Sequence, residues 1–294
     1  MILRELLYVA VIPFVAAAAV AFVCRRWRIQ PAVIWAAGVG IGIVVGQFGL
    51  KGRAGAARAF WSFVGPREAV DWLPHAVLLA IGMTVFATYA PRKWRRLAVA
   101  LAAILIVALP LRLLAGSVYV TRDWTLIETL IHLALLAATF GLTWVLLAAA
   151  RESDQPRTRP VLLIVVAAGM AISMALSAGV RNSELCGVAA AALTGTWFVS
   201  GARGLSGASG VLTVSLSGLV MLSHFYAQLT PINASLLLVS LVFGGGRLPD
   251  VVSTWQPWQQ VAIRTGLCLA PLALAVARSF VESQTGVSAS PYAI

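Results

Sequence analysis

Carboxylates are scarce in this chain: it holds 10 Asp+Glu in 294 residues, and charged residues of both signs make up 11% of it. A soluble domain carries about 25% charged and about 45–50% apolar residues, whereas here 60% are hydrophobic. There is too little polar surface to keep a chain of this length in water, so soluble architectures are excluded. An all-α, polytopic transmembrane helical bundle in a lipid bilayer is the reading that remains. Cysteine is equally sparse. Cys24, Cys186 and Cys268 each lie in or beside an apolar run, and no CxxC or CxxH spacing suggests a metal site or redox pair. They read as small packing residues.

Lysine is almost missing, since only Lys51 and Lys93 accompany the arginines among 22 cations. The net charge of +12 would suggest nucleic acid in a soluble protein. Here the arginines sit in short gaps between apolar runs, where they hold loops on the cytoplasmic side, so nucleic acid is excluded as a partner. Also missing are HExxH, an aspartate-rich motif for diphosphate-bound magnesium, and an acidic pair at mid-membrane to couple ions or protons. Gly244-Gly245-Gly246 is no phosphate loop, because neither a strand before it nor a GK[ST] ending is present; it reads as a flexible helix terminus. No catalytic residue and no cofactor is assigned.

What is present is a series of long apolar runs. At about 20 residues per crossing of a roughly 30 Å core, ten spans are expected at 5–24, 31–50, 73–90, 97–116, 126–150, 161–180, 185–202, 205–226, 232–248 and 261–280. Nine is the alternative, because Arg181-Asn182-Ser183-Glu184 and Gly201-Ala202-Arg203-Gly204 barely separate their neighbours. The first run, too long for a signal h-region and followed at once by Arg25, Arg26 and Arg28, reads as a retained span. The longest connections, 51–72 and 249–260, leave no room for an extramembrane domain. Residues 1–294 thus form a single integral-membrane domain, with 1–150 and 161–294 as candidate halves.

Odd-numbered loops carry most of the cations, with dense clusters at Arg25 to Arg28 and Arg92 to Arg96 and a further member, Arg151, in loop five. That pattern orients odd loops to the cytoplasm and both termini outside, in a bacterial inner (plasma) membrane. Lys51, Arg53, Arg58 and Arg67 in loop two dissent. Within that loop Ala57, Phe60, Trp61 and Val64 recur at helical spacing, which predicts a short amphipathic helix in the interface. Trp27, Trp72, Trp94 and Trp124 fall at span ends and Trp255 with Trp258 at a further connection, as an aromatic belt requires.

Helices in lipid pack through small residues that let backbones approach. Gly38, Gly42 and Gly46 form one such stripe, Gly187, Ala191 and Gly195 a second, and Ala167, Ala171, Ala175 and Gly179 a third. The run Gly204 to Gly210 opens span eight with enough glycine to weaken the helix by about 1 kcal/mol per residue relative to alanine.

Ionisable groups in apolar runs need a partner or a wet cavity. Asp71 and His75 stand four apart at the start of span three, Glu128 and His132 four apart at the start of span five, and His224 ends span eight. Counting crossings gathers all three imidazoles in one leaflet. The five residues form a candidate metal or proton site, against the plainer reading of histidines bonded within their own helices. Arg112 and Arg264 are expected to snorkel to the headgroups, although Arg112 could pair with Asp123 or Glu128; Arg181 and Glu184 are expected to neutralise each other. Hydroxyls at depth, Ser173, Ser177, Thr194, Thr196, Thr213, Ser215 and Ser217, are candidate path-lining groups.

In span count alone the chain resembles small permeases built from two five-helix halves, which implies inverted topology of the halves. Three functions are expected to compete. The first is a permease for a small solute. The second is a membrane enzyme or metal-handling protein using the histidine–carboxylate cluster. The third is a non-catalytic subunit with a membrane-protein partner or a second copy, for which a lipid-facing groove at Gly38, Gly42 and Gly46 would be the clue.

Overall fold

Proline and small hydroxyl residues punctuate the chain where helices must begin. Pro31, Pro231 and Pro257 open three helices, because a first-turn residue needs no donor N–H. Thr125 caps another, accepting from the Glu128 N–H while the Glu128 carboxylate accepts from the Thr125 N–H, and Thr230 caps a further one through the Asn233 N–H. The structure, a computed structural model, describes residues 5–53, 55–150, 157–253 and 255–285. Arg151 lies outside them, and the side chain of Arg58 is likewise not described.

Among the described residues every regular element is helical. In chain order these are α1 (Leu7–Arg26), α2 (Pro31–Gly52), α3 (Ala56–Val64), α4 (Ala69–Tyr89), α5 (Arg96–Leu114), α6 (Leu126–Ala148), α7 (Thr158–Leu176), α8 (Val180–Ser200), α9 (Leu205–Tyr226), α10 (Pro231–Gly245), α11 (Asp250–Ser253) and α12 (Pro257–Thr285). Eight of them, α1, α2, α4 to α7, α9 and α12, are long and apolar enough to cross a membrane. The chain is a multi-pass helical membrane protein. Helices α8 and α10 complete the ten long segments; α8 carries a polar first turn, and α10 has only 15 residues.

The glycine stripe of α2 lies inside this bundle. A methyl on Gly38 would stand 2.6 Å from Thr196 Oγ1, one on Gly42 would stand 2.7 Å from Ala192 Cβ and 2.9 Å from Ala17 Cβ, and Gly46 faces Val188. Residues 188, 192 and 196 are one face of α8, so the side chains of that face seat directly on the α2 backbone, with Ala17 and Pro13 of α1 beside them. The expected lipid-facing groove is therefore corrected: it is filled from within. On α8, Gly187 meets Val9 and Gly195 meets the Phe14 carbonyl of α1, while Ala191 is half-buried.

Helix α9 is the axis of the molecule, almost wholly buried. Its glycine-rich start is not unwound but tightens into a 3-10 turn (Leu205–Ala208), and a π turn follows at Thr213–Ser217. Gly201 and Gly204 adopt φ of +66° and +83° in the turn before it, conformations that favour glycine. The outer walls carry their large apolar side chains outward, with Leu126, Ile127, Leu130 and Leu135 of α6 and Val99, Ile104 and Val107 of α5 all exposed. In a bilayer these faces meet acyl chains.

Helix α10 has a second peculiarity. Fifteen residues rise only about 22 Å, short of the roughly 30 Å core, and its last residues, Gly244 to Gly246, are buried in the protein, so their carbonyls need donors from neighbouring helices. Two buried arginines meet them: Arg159 donates to Gly245 O from Nε (3.1 Å) and Nη2 (2.7 Å), and Arg264 Nη1 donates to Gly246 O (2.9 Å). Arg264 does not snorkel, as local position alone suggested; it is fully buried. The Gly244–Gly246 segment is accordingly a clamped terminus.

Candidate functional site: a charged cleft at one end of the bundle

The ends of α2, α4 and α8 converge beneath α3. The first turn of α4 is built by reciprocal capping: the Glu68 side chain accepts from the Asp71 N–H, and the Asp71 carboxylate accepts from the Glu68 N–H. That lock carries Asp71 inward, where only 3% of its side chain is exposed. Its carboxylate pairs with Lys51 of α2, accepts the backbone N–H of Arg67 (3.3 Å) and Glu68 (3.2 Å), and lies 3.8 Å from Arg181 Nη2. Gln47 Nε2 donates to Val70 O at 3.0 Å, fixing α2 to the same turn.

Around this centre the remaining charges alternate. Arg53 bridges Glu5 and Glu184 and lies 5.2 Å over the Tyr8 ring, and Arg181 pairs with Glu68. Lys51, Arg53, Glu68, Asp71, Arg181 and Glu184, with Trp61, Ser62 and Arg67, line a cleft of about 730 Å³. A second cleft of about 600 Å³ shares Arg67, Glu68 and Arg181 and extends past Trp72 to Arg112, Asn182 and Tyr226. Helix α3 roofs the first cleft as an amphipathic element: Phe60, Trp61 and Val64 face outward, Ala59 is buried, and Phe63 stacks on His75 (4.5 Å) and packs tilted against Phe48 (5.0 Å).

Three local expectations are corrected here. Arg181, Asn182, Ser183 and Glu184 are not a loop; they form the first turn of α8, and the chain reverses just before them, where Ala178 takes φ +60°. Arg181 and Glu184 do not neutralise each other, because each finds a partner from another element. Arg112 pairs with neither Asp123 nor Glu128 but lies 4.1 Å over the Trp72 ring.

The histidines reach the same end of the bundle without meeting at one point. His75 Nδ1 donates to the Asp71 backbone oxygen (3.1 Å) and its ring stacks on Phe63. His132 Nδ1 donates to the Glu128 backbone oxygen (2.8 Å), and its ring stacks on Trp124 at 4.2 Å. His224 Nδ1 donates to Leu229 O (2.7 Å) and sits edge-on to Phe225, whose ring also meets Trp124. His132 and His224 thus flank one aromatic cluster, and His75 belongs to another. Asp71 spends its carboxylate on the charged cleft and Glu128 on Thr125. Among the described residues no group of three or more His, Cys, Asp or Glu is placed to hold a metal ion.

The hydroxyls at depth turn mostly to neighbouring backbone. Ser177, Thr194, Thr196 and Ser215 donate to carbonyls of their own helices, and Ser173 bonds Ser279 (2.7 Å). Thr213 and Ser217, at the ends of the π turn, are buried without a hydrogen-bond partner. None of the seven lines either charged cleft.

No motif joins Lys51, Arg53, Arg67, Glu68, Arg181 and Glu184 into one site, and Arg181 with Glu184 reads from the sequence as a self-contained pair. The available signal was arithmetic. Loop two dissents from the positive-inside pattern, and four of the chain's 10 acidic residues, Glu5, Glu68, Asp71 and Glu184, lie at that same end to meet it. No protein-family model matches the chain, and neither a curated protein nor a solved structure is similar to it at a significant level.

Proposed function

We propose that the protein is a permease for a small polar solute, and that the charged cleft beneath α3 is where the solute docks. One observation carries the reading: in a chain with almost no charge to spare, both signs are drawn from three separate segments into a concave end of about 730 Å³. Small-ligand sites have volumes of about 300–1,000 Å³ with a few convergent polar groups. Lys51, Arg53, Arg67 and Arg181 suit acidic groups of a solute, while Glu68, Asp71 and Glu184 suit its donors. Ion pairs that join α2, α4 and α8 are also contacts that can break and re-form when packed helices slide. The helical rather than barrel architecture fits a bacterial inner (plasma) membrane.

The test is uptake into proteoliposomes containing the purified protein, across a panel of amino acids, organic acids, sugars, phosphate and small cations. Saturable movement of one class, reduced by Glu184→Gln, is expected. Folded protein that moves no member of the panel above empty vesicles would overturn the proposal.

A further inference from the structure

We infer that the second cleft, between α4, α5 and α9, binds a phosphate group. The inference goes beyond solute movement and stands whether or not the protein is a permease. The cleft is lined by three guanidinium groups, Arg67, Arg112 and Arg181, against one carboxylate, Glu68. That carboxylate is already engaged, since it pairs with Arg181 and caps the first turn of α4. Arg67 and Arg112 have no carboxylate partner among the described residues. The lining therefore carries an excess of two positive charges, which matches a phosphate mono- or dianion.

Geometry and surroundings favour that ligand. The Trp72 ring 4.1 Å beneath Arg112 holds its guanidinium by a cation–π contact and leaves its N–H edge available for a planar, two-pronged grip on oxygen. Val70, Leu113 and Leu222 form a buried apolar floor, and the three guanidinium groups stand exposed above it, open to an arriving anion. The Tyr226 hydroxyl donates to Leu113 O (3.0 Å), tying α9 to α5 at the edge of the cleft. Arg112 stands in the last turn of α5 and Trp72 at the start of α4, the level at which headgroups lie. The phosphate thus has two sources, a lipid headgroup or a small free phosphate, with one recognition chemistry.

The experiment uses full-length protein in a neutral detergent, stripped of lipid. Binding is titrated by native mass spectrometry and by the shift in thermal unfolding, with inorganic phosphate in one arm and dihexanoyl phosphatidylglycerol in the other. Saturable binding in at least one arm is expected, with Arg67→Gln and Arg112→Gln each weakening it by about tenfold or more, the scale of a lost charge-assisted hydrogen bond. Arg203→Gln, exposed and at the opposite end of the bundle, should bind as the parent does. Binding of phosphate alone assigns a free anion, and binding of the lipid alone assigns a headgroup; either supports the site. No saturable binding in either arm, equal binding by the two cleft variants while they remain monodisperse, or an equal loss in Arg203→Gln would overturn it.

Discussion

Replacing Asp71 by asparagine removes one charge from the best-buried ion pair of the cleft and little else. The amide oxygen can still accept from the Arg67 and Glu68 N–H groups, so the 3-10 turn that opens α4 (Ala69–Trp72) keeps its bonds. What is lost is the partner of Lys51, whose side chain is only 15% exposed. The Arg181 contact, at 3.8 Å and 45% exposed, contributes little after solvent screening. Breaking a buried pair by removing one partner costs about 3–5 kcal/mol, because the remaining charge stays desolvated; the retained hydrogen bonds put Asp71→Asn near the lower end, at about 3 kcal/mol. Lys51→Met added to Asp71→Asn removes the stranded cation, so the double variant should be more stable than the sum of the singles implies, by about 1–3 kcal/mol. Unfolding in mixed micelles, followed by tryptophan fluorescence in titration with a denaturing detergent, measures all four corners of this cycle. An Asp71→Asn variant within about 0.5 kcal/mol of the parent, or strict additivity of the pair, would refute the argument that this carboxylate organises the cleft.

Two glycines separate close packing from helix propensity. Gly42→Ala should destabilise by about 1–3 kcal/mol through overpacking against Ala192 and Ala17, while Gly82→Ala, which meets nothing within 4 Å, should gain up to about 1 kcal/mol; thermal midpoints in that order are expected. Arg264→Met deprives the Gly246 carbonyl of a donor in a buried setting and should cost at least about 1–3 kcal/mol, read as a lowered midpoint. Maleimide in mild detergent should modify Cys24, which is partly exposed, and spare Cys186 and Cys268, which are buried, until the protein is unfolded. Rapid native modification of Cys186 would contradict the packing of α8 against α7.

The spans were legible because hydropathy and the roughly 30 Å core act on each segment separately: Leu205–Tyr226 has the bounds read from the sequence, and Leu126–Ala148 differs only at its end. The Arg181–Glu184 segment was misread because hydropathy gives a polar first turn and a polar loop the same signature. What distinguishes them is the left-handed residue Ala178, and a non-glycine there leaves no compositional mark. Arg264 was misread for a non-local reason, since its burial depends on the buried carbonyl end of α10 packing against it.

Charge pairing and side-chain azimuth are the harder cases. Arg181 and Glu184 are adjacent on one helix turn, yet Arg181 binds Glu68 across 113 positions and Glu184 binds Arg53 across 131; only the course of the helices brings these partners within reach. Parity of crossings fixed the level of the three histidines and could not fix their angle about the bundle axis. His75 consequently stacks on Phe63 while His132 and His224 gather around Trp124 and Phe225. The same reasoning explains why loop two could have been recognised. A cation on the wrong side of the positive-inside pattern is unfavourable unless something holds it, and in a chain with 10 carboxylates the groups able to do so are few. Lys51, Arg53 and Arg67 break the topology rule together, so they ask for a common set of acids at one end, and Glu5, Glu68, Asp71 and Glu184 are the set that the helix order brings there. Arg67 alone among the three has no carboxylate partner, which is why the residual positive field falls on the wall that the two clefts share.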